Sequence, residues 1–138
     1  MVNNFSFPIE TRGFNDIIDI SEKVSGIVKR SGMRNAQALV FSAGSTCGIT
    51  TIEYESGAVA DLEACMERIA PRDIEYRHNL RWGDGNGFSH VRAALVNASF
   101  TFPVIDGQPV MGTWQQIVLL DFDNKPRSRE IIVQLCGD

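Results

Sequence analysis

His78, Asp84 and His90 are the residues of this sequence whose chemistry is easiest to combine in one site. His78 and His90 are its only two histidines, and glycines, an aspartate and two asparagines lie between them. Two imidazoles and a carboxylate suit a general acid/base pair or a divalent metal such as magnesium or zinc. We therefore predict His90, His78 and Asp84 as catalytic residues and also as metal ligands. The spacing of the histidines matches no zinc signature, so the metal is a hypothesis.

The glycine-rich segment GDGNG lies between the histidines, immediately before a predicted helix. Backbone N–H groups at a helix N-terminus favour anions, so this segment suits a small phosphorylated ligand. We predict Gly85, Asn86 and Ser89 as ligand contacts. The same composition is also that of a plain tight turn, and this alternative stays open.

The helix after this loop, from about Phe88 to Val96, is expected to bury Phe88, Val91 and Leu95. His90 then lies roughly 130° from that apolar side and faces solvent, a partner or a cleft. His78 falls in a stretch that we predict to be irregular. Arg92 lies ~160° from His90, so one pocket within one subunit could hardly use both. We predict that Arg92 binds substrate phosphate at a subunit boundary, the alternative being a solvated or salt-bridging arginine.

The segment GTWQQ, from Gly112 to Gln116, is a second candidate binding region. We predict that Trp114 and Gln115 contribute an indole and an amide to a pocket wall. The alternative is that Trp114 belongs to the core. Ser45 and Cys47, in the segment STCG, are weak candidates for a nucleophile, because the sequence shows no base near them.

Length and composition predict one domain over residues 1–138. The net charge of −4 argues against a general nucleic-acid partner. The three cysteines follow no metal or disulfide pattern, which favours a reducing compartment. We find no signal peptide and no apolar run of the roughly 20 residues that a membrane span needs. We therefore expect a cytoplasmic protein without a membrane partner.

The predicted secondary structure is α+β, with mainly antiparallel β-sheets and two to three helices in a single domain. The segment DISE, Asp19 to Glu22, is typical of a capping box, and Ser31-Gly32 should end that helix. A second helix follows Ser56-Gly57 and ends before Pro71. Strands are expected at Asn4 to Ile9, Ala36 to Phe41 and Gly48 to Glu55.

The last third of the chain is predicted to form two hairpins. Asp106-Gly107 joins SFTFPVI to QPVMGTW, and DNKPRS joins QIVLLDF to REIIVQL. The uninterrupted apolar run from Ile117 to Leu120 indicates a strand covered on both faces.

Four segments in order, STCGITTIEYE, YRHNLRWGDGNGFSHVRAAL, FPVIDGQPVMGTWQQIVLLDFD and SREIIVQLCG, resemble the YjbQ family, whose members are called secondary thiamine-phosphate synthases. The resemblance runs from Thr11-Arg12-Gly13 to nearly the end of the chain. It implies a YjbQ-like α+β fold with antiparallel sheets, assembled as a homotrimer with sites near subunit boundaries.

The resemblance also implies a weak transferase activity that joins a hydroxymethylpyrimidine diphosphate to a thiazole phosphate and releases pyrophosphate, with the true substrate open. His78, Asp84 and His90 match the family's polar cluster by position, with Trp114 and Gln115 beside it. Ser45 stands where family members commonly have a histidine. The other functions that we consider are a non-catalytic trimeric binding protein and a metal-assisted hydrolase of a small ester or amide.

Overall fold

The computed structural model describes all residues 1–138 and contains eight strands and four helices. The strands are β1 (Val2–Thr11), β2 (Asp16–Asp19), β3 (Ala36–Ser42), β4 (Cys47–Ile52), β5 (Ser99–Ile105), β6 (Gln108–Pro109), β7 (Gln116–Asp121) and β8 (Arg127–Gly137). The helices are α1 (Ser21–Ser31), α2 (Ser56–Ile69), α3 (Arg77–Trp82) and α4 (Gly87–Val96). The predicted α+β class is confirmed, with four helices instead of two to three. No helix is long and apolar enough to cross a membrane.

The strands form two sheets in which every pairing is antiparallel. The larger sheet has the order β1-β8-β3-β5-β6, and the smaller sheet has the order β2-β7-β4. The central strand β7 is buried on both faces, as its apolar run predicts. Since successive side chains of a strand point to opposite faces, β7 contributes to two different cores.

Ile117 and Leu119 of β7 join the main core, which also contains residues of the larger sheet and of α1. Val118 and Leu120 point the other way and pack with Ala93 of α4 and Met66 of α2. Helices α2 and α4 therefore cover the outer face of the smaller sheet, and α4 is held against β7 by apolar burial.

The second predicted hairpin is wrong, because β7 and β8 belong to different sheets. The segment DNKPRS carries the chain from the smaller sheet to the larger one instead of turning back along the same sheet. The first hairpin is present: β5 pairs with β6, and Asp106 and Gly107 have φ values of 52° and 76°, as a type I′ turn requires. Its second strand covers only Gln108–Pro109, which is much shorter than predicted.

Three details of the helices also differ from the sequence predictions. Helix α1 ends at Gly32 as expected, but the capping box does not form: Asp19 Oδ1 accepts a hydrogen bond from Ser21 N at 2.9 Å, and α1 begins only at Ser21. His78 lies within α3, not in an irregular stretch. In α4, Val91 and Leu95 are 42% and 57% exposed.

Helix α4 buries a different side from the predicted one. Its buried residues are Gly87, Phe88, Ser89, Arg92 and Ala93. The reason is that Arg92 and Ser89 find hydrogen-bond partners in the interior, which a hydrophobicity pattern cannot foresee.

Candidate functional site

One cleft of about 420 Å³ holds all three groups of the predicted polar cluster. His78 comes from α3, Asp84 from the loop between α3 and α4, and His90 from the first turns of α4. The short loop from Gly83 to Asn86 reverses the chain between the two helices, so that residues distant along the sequence face one space. The remaining residues of the wall are Gly44, Ser45, Thr46, Trp82, Asn86, Asp123, Arg127 and Arg129.

The two imidazole rings of this cleft are in contact. Their centroids are 4.4 Å apart, and their planes are tilted by 43°. His78 Nδ1 lies 3.4 Å from Asp84 Oδ1, but this buried nitrogen makes no well-formed hydrogen bond. Asp84 therefore lies next to the His78 ring, and His90 lines the same cleft beside it.

The two imidazoles and Asp84 supply donor types that a divalent metal accepts. They are not arranged as a ready coordination shell, since no group of three or more His, Cys, Asp or Glu side chains in the structure is close enough to hold a metal ion.

The glycine-rich loop contributes one of its three predicted contacts directly to the cleft. Asn86 lines the wall and is only 6% exposed. Gly85 adopts a φ of 72°, which lets the chain turn next to the wall without forming it. Ser89 is fully buried, and its hydroxyl donates to the carbonyl oxygen of Phe122 at 2.5 Å. Ser89 thus anchors α4 to the sheet and does not line the cleft.

The prediction that Arg92 binds substrate phosphate needs correction. Its side chain is fully buried and donates to Ala70 O at 3.0 Å, Asn15 Oδ1 at 2.9 Å and Glu67 Oε2 at 2.6 Å. The guanidinium also lies over the Phe88 ring, 4.9 Å from its centroid. All of this is on the side of α4 away from His90, so Arg92 holds α2 and α4 together and faces neither the cleft nor a neighbour.

Trp114 and Gln115 do not reach the cleft of the histidines within one chain. Trp114 is 71% exposed, so it is not a core residue. Gln115 lines a separate cavity of about 250 Å³ with residues of α1, β5 and β6. Its amide is used locally: it accepts from Gly112 N at 3.1 Å and donates to Thr51 Oγ1 at 3.3 Å.

The sequence analysis missed a buried ionic network behind the cleft. Arg129 donates to both oxygens of Asp121, at 2.7 and 3.0 Å, and to Thr46 Oγ1 at 2.7 Å. Asp121 accepts a further bond from Thr11 Oγ1 at 2.6 Å. Asp121 ends β7 and Arg129 lies on β8, so this ion pair joins the two sheets where the predicted hairpin would have paired them.

A second carboxylate, Asp123, extends the network to the cleft surface. It accepts from Arg127 Nε at 2.8 Å, Thr46 Oγ1 at 3.1 Å, Asn86 Nδ2 at 3.2 Å and Asn124 N at 2.8 Å. Burial alone would raise the pKa of Asp123, but the hydrogen bonds that it accepts outweigh burial and lower its pKa. Asp123 is therefore an anion at neutral pH.

The two arginines of the network line the cleft and retain N–H donors without a protein partner. Arg127 donates side-chain hydrogen bonds only through Nε, and Arg129 donates through Nε and Nη2. Burial lowers the pKa of Arg129, but the hydrogen bond to Asp121 more than compensates, so its pKa is raised and its charge is retained. The Nη groups of Arg127 and Nη1 of Arg129 thus give the wall donors for an anionic guest.

A signal for this network was present in the sequence. Asp121 and Asp123 close an apolar strand with carboxylates two residues apart, and Arg127 and Arg129 stand two apart at the start of the next strand. Such spacing puts both members of each pair on one face. Which acid meets which arginine could not be inferred, because that depends on the crossing between the sheets.

Ser45 and Cys47 lie at the edge of the same region, with different exposure. Ser45 is exposed and lines both the cleft and an adjoining depression of about 300 Å³ beyond His90. Cys47 is buried, and desolvation raises the pKa of its thiol. A thiol held in its neutral form is a poor nucleophile, so Cys47 acts as a core side chain.

Comparisons with known proteins agree with this fold. The chain is 42% identical over 130 residues to a UPF0047 protein of Methanothermobacter thermautotrophicus, covering 94% of this chain and 89% of that protein. It is 31% identical over 130 residues to the UPF0047 protein YugU of Bacillus subtilis, covering 94% and 96%. A crystal structure of a YbjQ-like protein of unknown function from Sulfolobus solfataricus P2 superposes with a TM-score of 0.90 at 31% identity, covering 100% of both chains.

The family model described as "UPF0047 protein YjbQ-like" matches residues 5–138. This match spans both sheets, all four helices and every residue of the cleft. The chain therefore belongs to the UPF0047 protein YjbQ-like family.

Proposed function

We propose that this protein is a small-molecule enzyme that uses His90 as its acid/base group. Its phosphorylated substrate binds in the cleft lined by His78, Asp84 and His90, called the histidine cleft below. The observation that carries the proposal is the placement of two touching imidazoles in the same cleft as the unused guanidinium donors of Arg127 and Arg129. Imidazole moves protons near neutral pH, and fixed guanidinium groups stabilise phosphate charge.

The charge around the cleft limits which ligands fit. Arg127 and Arg129 are each paired with a buried carboxylate, so we do not expect the site to bind anions tightly without selectivity. The remaining N–H donors of Arg129 keep a fixed direction, because its Nε and Nη2 are both hydrogen-bonded, whereas Arg127 is held through Nε alone. Such donors favour a phosphoryl group of defined orientation over diffuse negative charge.

The finer proposal is a thiamine-phosphate synthase-like transferase. Joining a hydroxymethylpyrimidine diphosphate to a thiazole phosphate releases pyrophosphate, whose charge must be stabilised as it leaves. In this proposal Arg127 and Arg129 bind the departing phosphates, His90 donates a proton to them, and Asp84 orients His78.

The test is turnover by the purified protein. With both thiamine precursors and magnesium, the wild type should form thiamine phosphate, and His90→Ala should lower kcat at least about 100-fold, a typical contribution of a general acid. Cys136→Ser is a suitable control, since Cys136 is exposed near the end of β8 and does not line the cleft. If neither these precursors nor any phosphate ester turns over, and His90→Ala fails to impair complementation of a thiamine auxotroph, the proposal is wrong.

A second candidate is a non-catalytic binding protein, and Ser45 favours it. This exposed side chain lines the cleft beside His90 at the position where the resemblance leads one to expect a histidine. The variant Ser45→His separates the two candidates. A gain of metal affinity or turnover would favour a weakened enzyme, whereas unchanged values for both would favour binding alone.

Metal-assisted hydrolysis of a small ester or amide would use the same His78, Asp84 and His90. Elemental analysis of protein purified without chelators tests it directly. A stoichiometric zinc or magnesium content that falls in the His78→Ala variant would support a metal site. A content well below one ion per chain in both proteins would count against it.

A further inference from the structure

Two buried side-chain polar atoms of the molecule lack a hydrogen-bond partner, and both belong to residues of the histidine cleft. They are His78 Nδ1 and Asn86 Oδ1. The nitrogen of His78 at least has Asp84 Oδ1 at 3.4 Å. The amide oxygen of Asn86 has no donor from the chain, although the residue is more than nine-tenths buried. A buried acceptor without a donor costs about 1–3 kcal/mol, so this one requires an explanation.

The orientation of the Asn86 amide is fixed by Asp123. Asn86 Nδ2 donates to Asp123 Oδ1 at 3.2 Å. Rotating the amide by half a turn would place its oxygen against that carboxylate, and two acceptors would repel each other. The pKa of Asp123 is lowered, by hydrogen bonds that include this one and despite its burial, so the carboxylate stays charged and holds the amide. The group of Asn86 that is left without a partner is consequently an acceptor, the buried oxygen Oδ1.

The carboxylate of Asp123 also places Asn86 beside Arg127 and Arg129 of the cleft wall. Its other oxygen accepts from Arg127 Nε at 2.8 Å, so a single carboxylate separates the amide from the guanidinium. Neighbouring groups of the wall therefore require complementary partners. The arginines require a hydrogen-bond acceptor on the ligand, and Asn86 Oδ1 requires a hydrogen-bond donor.

We propose that Asn86 is a specificity-determining residue that selects phosphorylated ligands carrying an O–H or N–H donor close to the phosphoryl group. This inference rests on the proposed function, since it takes the phosphoryl group to bind at Arg127 and Arg129. A simple alkyl phosphate leaves the Asn86 oxygen unsatisfied, whereas a hydroxylated or aminated phosphate satisfies it. The selection acts on binding and requires no chemical step.

The experiment compares propyl phosphate with glycerol 3-phosphate by isothermal titration calorimetry. The two probes have the same carbon chain and the same phosphate charge, and only the second has hydroxyl donors. We expect glycerol 3-phosphate to bind the wild type about 3- to 10-fold more tightly, the contribution of one hydrogen bond. Equal affinities would overturn the inference and leave the phosphate site intact. Failure of both probes to bind would overturn the proposed function and the inference with it.

Two variants separate selection by Asn86 from a purely structural role. Asn86→Ala removes the acceptor and should bring the affinity ratio of the two probes to about one. Thr46→Val is the matched control, because it also removes a hydrogen bond to Asp123 but keeps the amide oxygen. It should weaken both probes and preserve their ratio. A ratio that persists in Asn86→Ala, or that disappears in Thr46→Val, would contradict the inference.

Discussion

Asp121 is a fully buried acid whose charge is balanced by Arg129 across the two sheets. Removing one partner of a buried ion pair is costly, because the other charge remains out of water. We predict that Asp121→Asn lowers the free energy of unfolding by about 3 kcal/mol or more, measured by urea denaturation. Asp106→Asn is the matched control, since the Asp106–Arg34 pair is exposed on both sides. That variant should lose less than about 1 kcal/mol. Similar losses in the two variants would show that Asp121–Arg129 carries no special stability.

Asp123 makes stability depend on acid pH in a direction set by its lowered pKa. A carboxyl whose pKa is lower in the folded state than its ordinary 3.8 stabilises the fold above that value. This contribution is lost as the pH falls through the folded-state pKa. We therefore expect the difference in unfolding free energy between wild type and Asp123→Asn to be constant above about pH 5 and to shrink below pH 4. Urea titrations at several pH values measure this difference, and a difference independent of pH would contradict the assignment.

Helices α2 and α4 are tied together by Arg92, which the structure removes from the list of ligand contacts. Replacing Arg92 by methionine leaves the buried carbonyl oxygen of Ala70 without its donor. We predict a loss of about 2 kcal/mol or more in unfolding stability for Arg92→Met, with an unchanged affinity for glycerol 3-phosphate at a temperature where the variant is folded. Arg77→Met is the control, because Arg77 is exposed and forms no ion pair, and it should change stability by less than about 0.5 kcal/mol. A variant that is stable but has lost ligand affinity would return Arg92 to the binding site.

The elements whose signals are local could be predicted from the sequence. The end of α1 at Gly32, the turn at Asp106-Gly107 and the two-sided burial of β7 follow from backbone geometry or from side-chain alternation. The pairing of β7 with β8 could not be predicted, because the decision between one sheet and two depends on contacts of the whole chain. Proximity in sequence favoured a hairpin of β7 and β8. The two strands instead lie in different sheets, which the Asp121–Arg129 ion pair joins.

The candidate site was predictable to the same extent. His78, Asp84 and His90 were found through their chemistry and a short intervening loop, so their common cleft follows from local geometry. The inward arginines come from a strand more than thirty residues further along the chain, and only the fold brings them there. The role of Arg92 was predicted wrongly because helical periodicity gives the direction of a side chain but not the residue that it contacts, here Glu67.

The surface of the whole molecule carries large apolar side chains that no part of the same chain covers. Val91 and Leu95 lie one turn apart on α4, and Trp114 and Trp82 are both mainly exposed. Burial of such side chains between subunits would add to stability in proportion to the area removed from water. The homotrimer that the family resemblance implies would provide such burial.

The assembly can be tested by the mass of the protein in solution. We predict by light scattering a species three times the 15.3 kDa mass of the chain at micromolar concentration. If exposed apolar side chains drive the association, a charge in their midst should weaken it, because the charge would have to leave water. Leu95→Glu should then lower the mass toward that of one chain, while Ala60→Glu, at an exposed position of α2, should not. A wild-type mass of 15.3 kDa at every concentration would refute the trimer. A trimer unaffected by Leu95→Glu would place its interface elsewhere, with Trp114→Glu as the next variant to measure.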